Sequence, residues 1–419
     1  MSTKQDDPGE TADKLDWRLM APVFAIVAID AMGMGVILPL LPFYAERFGA
    51  TPFIIGILFA AYSFCQFVAG PLLGAWSDRI GRKPILIASQ LGTSVSFVLL
   101  ALANSMPLLF IARILGGLTS GNLSVASAYA VDRSSPRNRK QAIGIVSAGI
   151  GIGLVIGPAL STLSAHVSPT APIWIAAALS AISMTTTMIL LPADRPEAAT
   201  PSTTAPTDKN IFSAPVLAIL GLLSCFYVAL GMVMGGLAIY LAQRFTWQGQ
   251  PFGAAEVGII FTGTGIINIF VQLVLMKYVG NWFTDKQLVV SSFLLLGVGY
   301  ASTGVVQAVA LLGLGLAAAA FGSSLLRPTL TSALSLSTPP NRQGMVLGVN
   351  QSLMAAGNII GPMLGGVLLS SGSPEIWLAA VVAFYVGGVL TALACFTFGL
   401  WPNEVKVDTT PIRMDKTND

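Results

Sequence analysis

Charged residues are scarce in this sequence. They make up 10% of its 419 residues, whereas a soluble domain carries about 25%. So little charge excludes an ordinary soluble domain and gives no sign of a nucleic-acid partner. Instead 54% of the residues are hydrophobic, and apolar segments of about 20 residues recur, each able to cross a bilayer as a helix. We count twelve, so the sequence predicts an all-α polytopic membrane protein with 12 transmembrane helices in a lipid bilayer.

Histidine and cysteine are also rare. His166 is the only histidine, so the chain has no histidine-based metal cluster and no Ser-His triad. No Gly-Lys pair exists to form a phosphate-binding loop. The three cysteines, Cys65, Cys225 and Cys395, fall inside apolar segments, where cysteine behaves as a small hydrophobe. We therefore predict no enzyme, no metal, no cofactor and no disulfide framework.

The basic residues indicate the orientation. If both termini are cytoplasmic, 18 of the 22 Lys and Arg residues lie in cytoplasmic segments. Only Arg47 and Arg244 lie outside, and Arg113 and Arg327 fall within predicted helices. By the positive-inside rule this split predicts cytoplasmic termini in a multi-pass protein of the cell (inner) membrane. The acidic start of the chain lacks the features of a removable signal peptide.

The twelve segments divide into two sets of six. The segment "PADRPEAATPSTTAPTDKN" is rich in Pro, Thr and Ala without hydrophobic periodicity, which is typical of a flexible linker. We predict a cytoplasmic tail at 1–17, a six-helix bundle at 18–193, a cytoplasmic linker at 194–211, a second six-helix bundle at 212–401 and a cytoplasmic tail at 402–419.

An internal repeat supports this division. "GIVSAGIGIGLVIGP" in the fifth helix matches "GVNQSLMAAGNIIGP" in the eleventh, 204 residues later, with the same Gly and Pro spacing. A duplicated unit predicts two pseudosymmetric bundles. Small residues one turn apart form a flat stripe that favours close helix packing in lipid, and the prolines are points of easy bending. The residues of this Gly-Pro motif are Gly144, Gly153, Gly157, Pro158, Gly348, Gly357, Gly361, Pro362, Gly365 and Gly366.

One carboxylate stands inside a predicted span. Asp30 is the only deep acidic residue, and an intramembrane charge costs about 2.5–3.5 kcal/mol on insertion scales, which marks a site; the alternative is a helix-helix hydrogen bond. At about 1.5 Å per residue, Asp30 lies ~20 Å from Trp17, and Arg113 lies ~9 Å from Pro107 at the other face. The two heights nearly coincide in a core of about 30 Å. We therefore predict that Asp30 and Arg113 lie within pairing reach and that protonation of Asp30 loosens the pair.

A short charged segment, "GAWSDRIGRK" at 74–83, separates the second and third helices. Gly74 permits close helix approach, and Asp78 can accept from a helix N-terminus or pair with a nearby arginine. Basic residues hold the turn on the inner face. The alternative is a loop that only anchors the topology. The residues of interest are Gly74, Asp78, Arg79, Gly81, Arg82 and Lys83.

These features together resemble the major facilitator superfamily, and within it the drug:proton antiporter branch that includes the tetracycline efflux proteins. The resemblance implies that the loop at 74–83 acts as a conformational latch between the halves. It implies that "DAMGMGVILPLLP" and "LFIARILGG", with Asp30 and Arg113, belong to proton coupling, driven by the proton gradient. The Gly-Pro motif resembles that of exporters, which implies efflux. The second half departs from the pattern, because its corresponding loop reads "KYVGNWFTDKQ".

The substrate pocket is less defined. Arg327 could bind backbone carbonyls opened by Pro328 or an anionic substrate group. Midspan polar residues are candidates for the cavity or for interhelical hydrogen bonds: Tyr62, Gln66, Asn122, Asn268, Gln272, Asn350, Gln351 and Asn358. Of these, Tyr62 and Gln66 match the tetracycline-type pattern. An apolar wall could come from Phe24, Phe64, Phe226, Tyr227, Phe261 and Phe270.

The prediction is therefore a monomeric secondary transporter, a proton-coupled efflux antiporter of small amphipathic molecules or drugs that works by alternating access. Its partners are the small-molecule substrate, protons and the bilayer. Transport of an organic anion or metabolite through Arg327 is the first alternative. A channel or a transporter-derived receptor is the second.

Overall fold

The computed structural model describes residues 17–135, 138–165, 167–192, 213–339 and 342–401. The predicted linker and nearly all of the two tails lie outside these residues. The helices of the first half are α1 (Trp17–Glu46), α2 (Pro52–Ile80), α3 (Arg82–Ala101), α4 (Met106–Leu118), α5 (Asn122–Asp132), α6 (Arg139–Ala165) and α7 (Ala171–Leu190).

The second half contains the helices α8 (Ala214–Arg244), α9 (Ala254–Phe270), α10 (Met276–Trp282), α11 (Asp285–Thr303), α12 (Val309–Leu336), α13 (Gln343–Leu369) and α14 (Pro374–Thr397). A π-helical turn, Val271–Leu275, joins α9 to α10. Two short strands, β1 (Thr246–Trp247) and β2 (Gln250–Pro251), form a hairpin between α8 and α9. Its turn has positive φ at Gln248 and Gly249, which matches the twist of the paired strands.

Eleven spans among the described residues are long and apolar enough to cross a membrane. One of them joins α4 and α5 and runs from Met106 to Asp132. The ninth predicted span corresponds to α11, a 19-residue helix whose capping box at Thr284 and Gln287 fixes its start. The prediction of an all-α polytopic membrane protein is confirmed; the hairpin is a small addition to it.

The two halves repeat one packing pattern. In the first half α1 packs on α6, α3 on α7, and α2 on α4. In the second half α8 packs on α13, α11 on α14, and α9 on α12. The same partners therefore meet at equivalent positions, as the internal repeat predicts.

The halves meet through two equivalent interfaces. The second span of each half packs on the fifth span of the other, so α2 contacts α13 and α9 contacts α6. We call the end where α2 meets α3 the loop end, and the end where α1 meets α2 the opposite end. At the opposite end the Phe53 amide donates to the Ser370 hydroxyl at 3.1 Å, and the Thr162 hydroxyl lies 3.1 Å from the Ala255 carbonyl oxygen.

The apolar core shows the same asymmetry between the ends. One cluster of buried side chains joins both halves, and its members in the first half, such as Leu41, Ile55 and Leu109, lie toward the opposite end. At the loop end a separate cluster around Ile85 and Val146 belongs to the first half alone. The structure is therefore sealed at the opposite end, and its halves pack separately at the loop end.

Candidate functional site

The carboxylate of Asp30 is enclosed in the first half. Both of its oxygens are buried, and neither has a hydrogen-bond partner among the described residues. The side chains of Ser183, Gln90 and Asn122 lie beside it. A buried carboxylate without a partner is costly to keep ionised, so this position favours a group that takes up and releases a proton.

The predicted pairing of Asp30 with Arg113 is wrong in this structure. No ion pair within 4.0 Å joins them among the described residues; the Arg113 guanidinium lies over the Tyr62 ring, 4.1 Å from its centroid. Asp30 instead meets the fourth span at Asn122. That contact is nine residues beyond Arg113, or about 13 Å along a helix. Measuring the depth of each residue from the nearest span end therefore placed the two too close in height.

The fourth span is broken between Arg113 and Asn122. Helix α4 ends at Leu118 and α5 begins at Asn122, and in the gap the Ser120 amide bonds back to Gly117. Irregular backbone at membrane depth is tolerated where protein or a polar cavity satisfies it. The amides of Thr119, Ser120 and Gly121 all keep local backbone bonds, so the break resembles the broken helices of transporters without leaving these amides unpaired.

Two predicted pocket residues bind this break. The Ser120 hydroxyl lies 2.9 Å from the Tyr62 hydroxyl and accepts a hydrogen bond from the Gln66 amide at 2.6 Å. Because Tyr62 also lies under Arg113, α2 links the guanidinium to the broken segment. Arg113 is nearly buried, and its Nε atom has no partner in the described part of the chain. Tyr62, Gln66, Ser120 and Arg113 thus form one polar cluster.

The sequence reading missed Gln90 and Ser183. Both are fully buried, and the Gln90 amide donates to the Ser183 hydroxyl at 2.8 Å. The Ser183 hydroxyl in turn lies 3.4 Å from the carbonyl oxygen of Ile26, one turn before Asp30. A buried amide in an apolar helix was the available signal in the third span, but nothing in the sequence pointed to its partner.

The second half has a different polar cluster. The Tyr227 hydroxyl donates to the Asn350 side chain at 3.1 Å, and Arg327 lies beside that hydroxyl. The Arg327 guanidinium reaches the Met354 sulfur at 3.5 Å and is exposed. Arg327 contacts side chains of α8 and α13, two helices that also contact the first half. It therefore opens on the cleft between the halves, and within the described part of the chain it makes no hydrogen bond to a carbonyl near Pro328.

The remaining candidate pocket residues differ in how exposed they are. Gln272, within the π-helical turn of the eighth span, donates to Asn268 of α9 at 2.6 Å, and this hydrogen bond is exposed. Gln351 is exposed and Asn358 is half-buried. The aromatic wall is only partly formed: Phe226 is buried in the core, whereas Phe64 and Phe270 are exposed and Phe24 and Phe261 are half-buried.

The segment at 74–83, expected to be a loop, is helical except at Gly81, because α2 continues to Ile80 and α3 begins at Arg82. Its polar contacts lie within the first half. Arg82 pairs with Asp78 at 2.6 Å and with Asp132 at 3.0 Å, as one alternative for Asp78 predicted. Lys83 donates to the carbonyl oxygens of Met188 and Leu191 at the end of α7. Gly81 has a φ of 107°, so only glycine fits easily between α2 and α3. Arg79 is exposed. A Cβ on Gly74 would meet no atom within 4 Å, so the close helix approach predicted at Gly74 is not present in this structure.

The Gly-Pro motif mainly packs helices within each half. A Cβ on Gly157 would lie 2.6 Å from the Met32 carbonyl oxygen of α1, and one on Gly361 would lie 2.6 Å from Gly231 of α8. Gly153, Gly357 and Gly365 face the same two helices. Pro362 and Gly366 also meet α2, and Pro158 meets α9, across the interface. Gly144 and Gly348, at the loop end, have open space around them.

The comparisons with known proteins agree with this architecture. The sequence matches the family model of the Major Facilitator Superfamily over residues 23–282 and 225–416. It is 28% identical to the class B tetracycline resistance protein of Escherichia coli over 386 residues, covering 90% of this chain and 95% of that protein. It is 29% identical to multidrug resistance protein 1 of Bacillus subtilis (strain 168) over 370 residues, covering 87% and 92%.

Among solved structures, the nucleoside transporter NupG superposes with a TM-score of 0.72 at 14% identity, covering 91% of this chain and 99% of that chain. At this identity the likeness shows the fold. The protein is a transporter and not an enzyme, and multiple spans place it in a membrane. The chain belongs to the major facilitator superfamily, in the branch of the drug-resistance proteins that it matches.

Proposed function

We propose that this protein exports amphipathic drugs in exchange for protons, with Asp30 as the proton-carrying group. The observation that carries the proposal is the enclosed Asp30 carboxylate, whose two oxygens lack partners among the described residues. A carboxylate in such a place changes its interactions most when it gains or loses a proton. It lies against the broken fourth span, so its protonation state can bias the position of α5.

Alternating access follows from the arrangement of the halves. The opposite end is sealed through α2–α13 and α6–α9, and the halves have separate core clusters at the loop end. Rocking of the two halves about a central site would open the opposite end and close the loop end. In that second state the segment at 74–83 would meet the other half and act as the latch.

The charge distribution supports the proposed orientation. Most Lys and Arg residues in the described ranges lie on the loop-end side, which would be cytoplasmic in an inner membrane with both termini inside. The structure would then be open to the cytoplasm, ready to load a drug for export. The matched resistance proteins support the drug class. We propose a monomer, because each half already packs against the other through two equivalent interfaces.

The test is transport by the purified protein in proteoliposomes, with ethidium and norfloxacin as probes. An imposed pH gradient should drive saturable accumulation by the wild-type protein, whereas a channel would give unsaturated flux. Asp30→Asn should reduce gradient-driven accumulation by about a hundredfold, which is ~2.7 kcal/mol, within the range for an intramembrane charge. Probe exchange without a gradient should persist.

The matched control is Glu46→Gln, which removes an exposed carboxylate from the same helix. It should leave gradient-driven accumulation unchanged. Accumulation by Asp30→Asn equal to that of the wild type would remove Asp30 from the coupling mechanism. An equal loss in both variants would indicate a general effect of charge on α1.

A further inference from the structure

A groove of about 390 Å³ lies between α9 and α12, beneath the hairpin at the opposite end. Its size falls within the range of ligand pockets. Most of its lining is apolar, including Trp247, Phe252, Ile260, Ile267, Leu312 and Leu316. The groove is separate from the polar clusters around Asp30 and Arg327, because it shares no residue with them.

The groove faces away from the interface between the halves. Helix α9 turns Gly258 and Gly265 toward α6 of the other half, where their positions meet Thr162 and Val155. Its groove-lining residues lie on the side toward α12. Ile259, Leu311 and Leu314 nearby are exposed, as expected of side chains against lipid. A ligand could therefore enter this groove from the membrane.

Glu256 is the one charged residue in the lining. Its Oε2 atom accepts a hydrogen bond from the Gly253 amide at 2.9 Å. No cationic side chain pairs with it within 4.0 Å among the described residues. Glu256 also lines a neighbouring cavity, and Arg47 is the one cationic residue of that lining. The carboxylate thus stands at the edge of an apolar groove, held by one backbone amide at the N-terminus of α9 and without an ion pair among the described residues.

An apolar groove with a carboxylate at its edge favours a hydrophobic cation as its ligand. An anion would be repelled by Glu256, and the Thr264 hydroxyl is already engaged with the Phe261 carbonyl oxygen at 3.0 Å. A cation with an apolar body would bury that body in the groove and bring its charge to the carboxylate. The exposed Trp247 ring offers a further surface that attracts cations.

We propose that the α9–α12 groove binds monovalent organic cations with an apolar body, taken up from the membrane and held by Glu256. The site is additional to the central cleft, and its occupation does not depend on proton coupling at Asp30. For the proposed exporter it would serve as a peripheral site that concentrates such molecules beside the protein.

Equilibrium dialysis of labelled tetraphenylphosphonium against the full-length protein in phosphatidylcholine nanodiscs tests the proposal. Glu256→Gln should weaken binding at this site by about tenfold, as expected for the loss of one charge pairing. Glu46→Gln, an exposed carboxylate at the same end, should leave the affinity unchanged. Arg47→Ala should strengthen binding, because it removes the positive charge of the neighbouring cavity.

A second pair of variants tests the location. A Cβ on Gly313 would meet no atom within 4 Å, so Gly313→Leu fills the groove without a clash at the backbone. It should abolish the Glu256-dependent binding. Gly387→Leu is the matched control, because Gly387 lies in α14 with equally open space. It should have no effect.

Three results would overturn the proposal. They are unchanged affinity in Glu256→Gln, unchanged affinity in Gly313→Leu, and equally tight binding of uncharged triphenylphosphine oxide that Gly313→Leu removes. The last would make the groove a site for neutral apolar molecules or lipid chains. Asp30→Asn separates this proposal from the transport mechanism, because it should leave tetraphenylphosphonium binding in the groove unchanged while reducing coupled transport.

Discussion

The two halves share a packing pattern and differ in their polar chemistry. In the first half the fourth span is broken next to an enclosed Asp30, and Arg113 is nearly buried over Tyr62. In the second half the equivalent span, α12, is continuous, and Arg327 is exposed on the cleft. Duplication therefore preserved the helix contacts, while the charged residues diverged.

This difference suggests a division of work between the halves. An enclosed carboxylate responds to protonation, whereas an exposed guanidinium on the cleft can meet a substrate directly. The first half also has a charged network of Asp78, Arg82 and Asp132 at its loop end. The helix packing that both halves share then provides the scaffold for rocking. The polar residues that differ between the halves provide proton coupling and substrate recognition.

The largest effect on stability should come from substitutions in the helix packing that the two halves share. Gly157→Leu and Gly361→Leu each force a side chain into a backbone 2.6 Å away, so each should lower the free energy of unfolding by about 3 kcal/mol. Thermal unfolding in detergent measures it. Gly144→Leu and Gly348→Leu, in open space, should have little effect. A loss of stability in only one of the two variants, Gly157→Leu or Gly361→Leu, would contradict the equivalence of the two Gly-Pro motifs.

Substitutions of Arg113 and Arg327 test the difference between the two halves, and their effect on transport should be smaller. Arg113→Lys keeps the charge but loses the planar group over Tyr62, a desolvated contact of about 2 kcal/mol, so coupled transport should fall about thirtyfold. Arg327→Lys keeps a charge in an open cleft and should change apparent affinity less than about threefold. Transport rate against substrate concentration measures both. Equal losses in the two variants would contradict the division of work.

Much of the scaffold could be predicted from the sequence because its cause is local. Apolar segments of sufficient length predict spans, and the repeated Gly and Pro spacing predicts that the fifth and eleventh spans are equivalent. Asp30 is conspicuous because an intramembrane carboxylate is costly. Each of these conclusions needs only residue type and spacing.

The partners of Asp30 could not be predicted in this way. The break at Thr119–Gly121 interrupts a segment that still reads as one apolar span, and it determines which part of that span Asp30 meets. Gln90 and Ser183 approach Asp30 from α3 and α7, contacts that depend on how three helices rotate about their axes. The sequence also does not show which end is sealed, because one sequence encodes every state of the transport cycle.

The smallest effect should come from the polar contacts that seal the opposite end. Ser370 accepts from the Phe53 amide, and the Thr162 hydroxyl is shared between Ala255 and its own helix. Ser370→Ala removes one bond worth about 1 kcal/mol, which should favour the state open at the opposite end about fivefold. Thr162→Val should have a weaker effect, because its hydroxyl is shared.

Spin labels at Gly144→Cys and Gly348→Cys, in a variant without the native cysteines, measure the distance between the two halves at the loop end. The shift should appear as a larger population of molecules with a short distance between the labels. Ser371→Ala is the matched control, because that hydroxyl donates to the Leu368 carbonyl oxygen at the end of α13 and not to the other half. An unchanged distance distribution in Ser370→Ala would show that apolar packing alone seals the opposite end. A shift in Thr162→Val as large as that in Ser370→Ala would contradict the weaker effect expected of a shared hydroxyl.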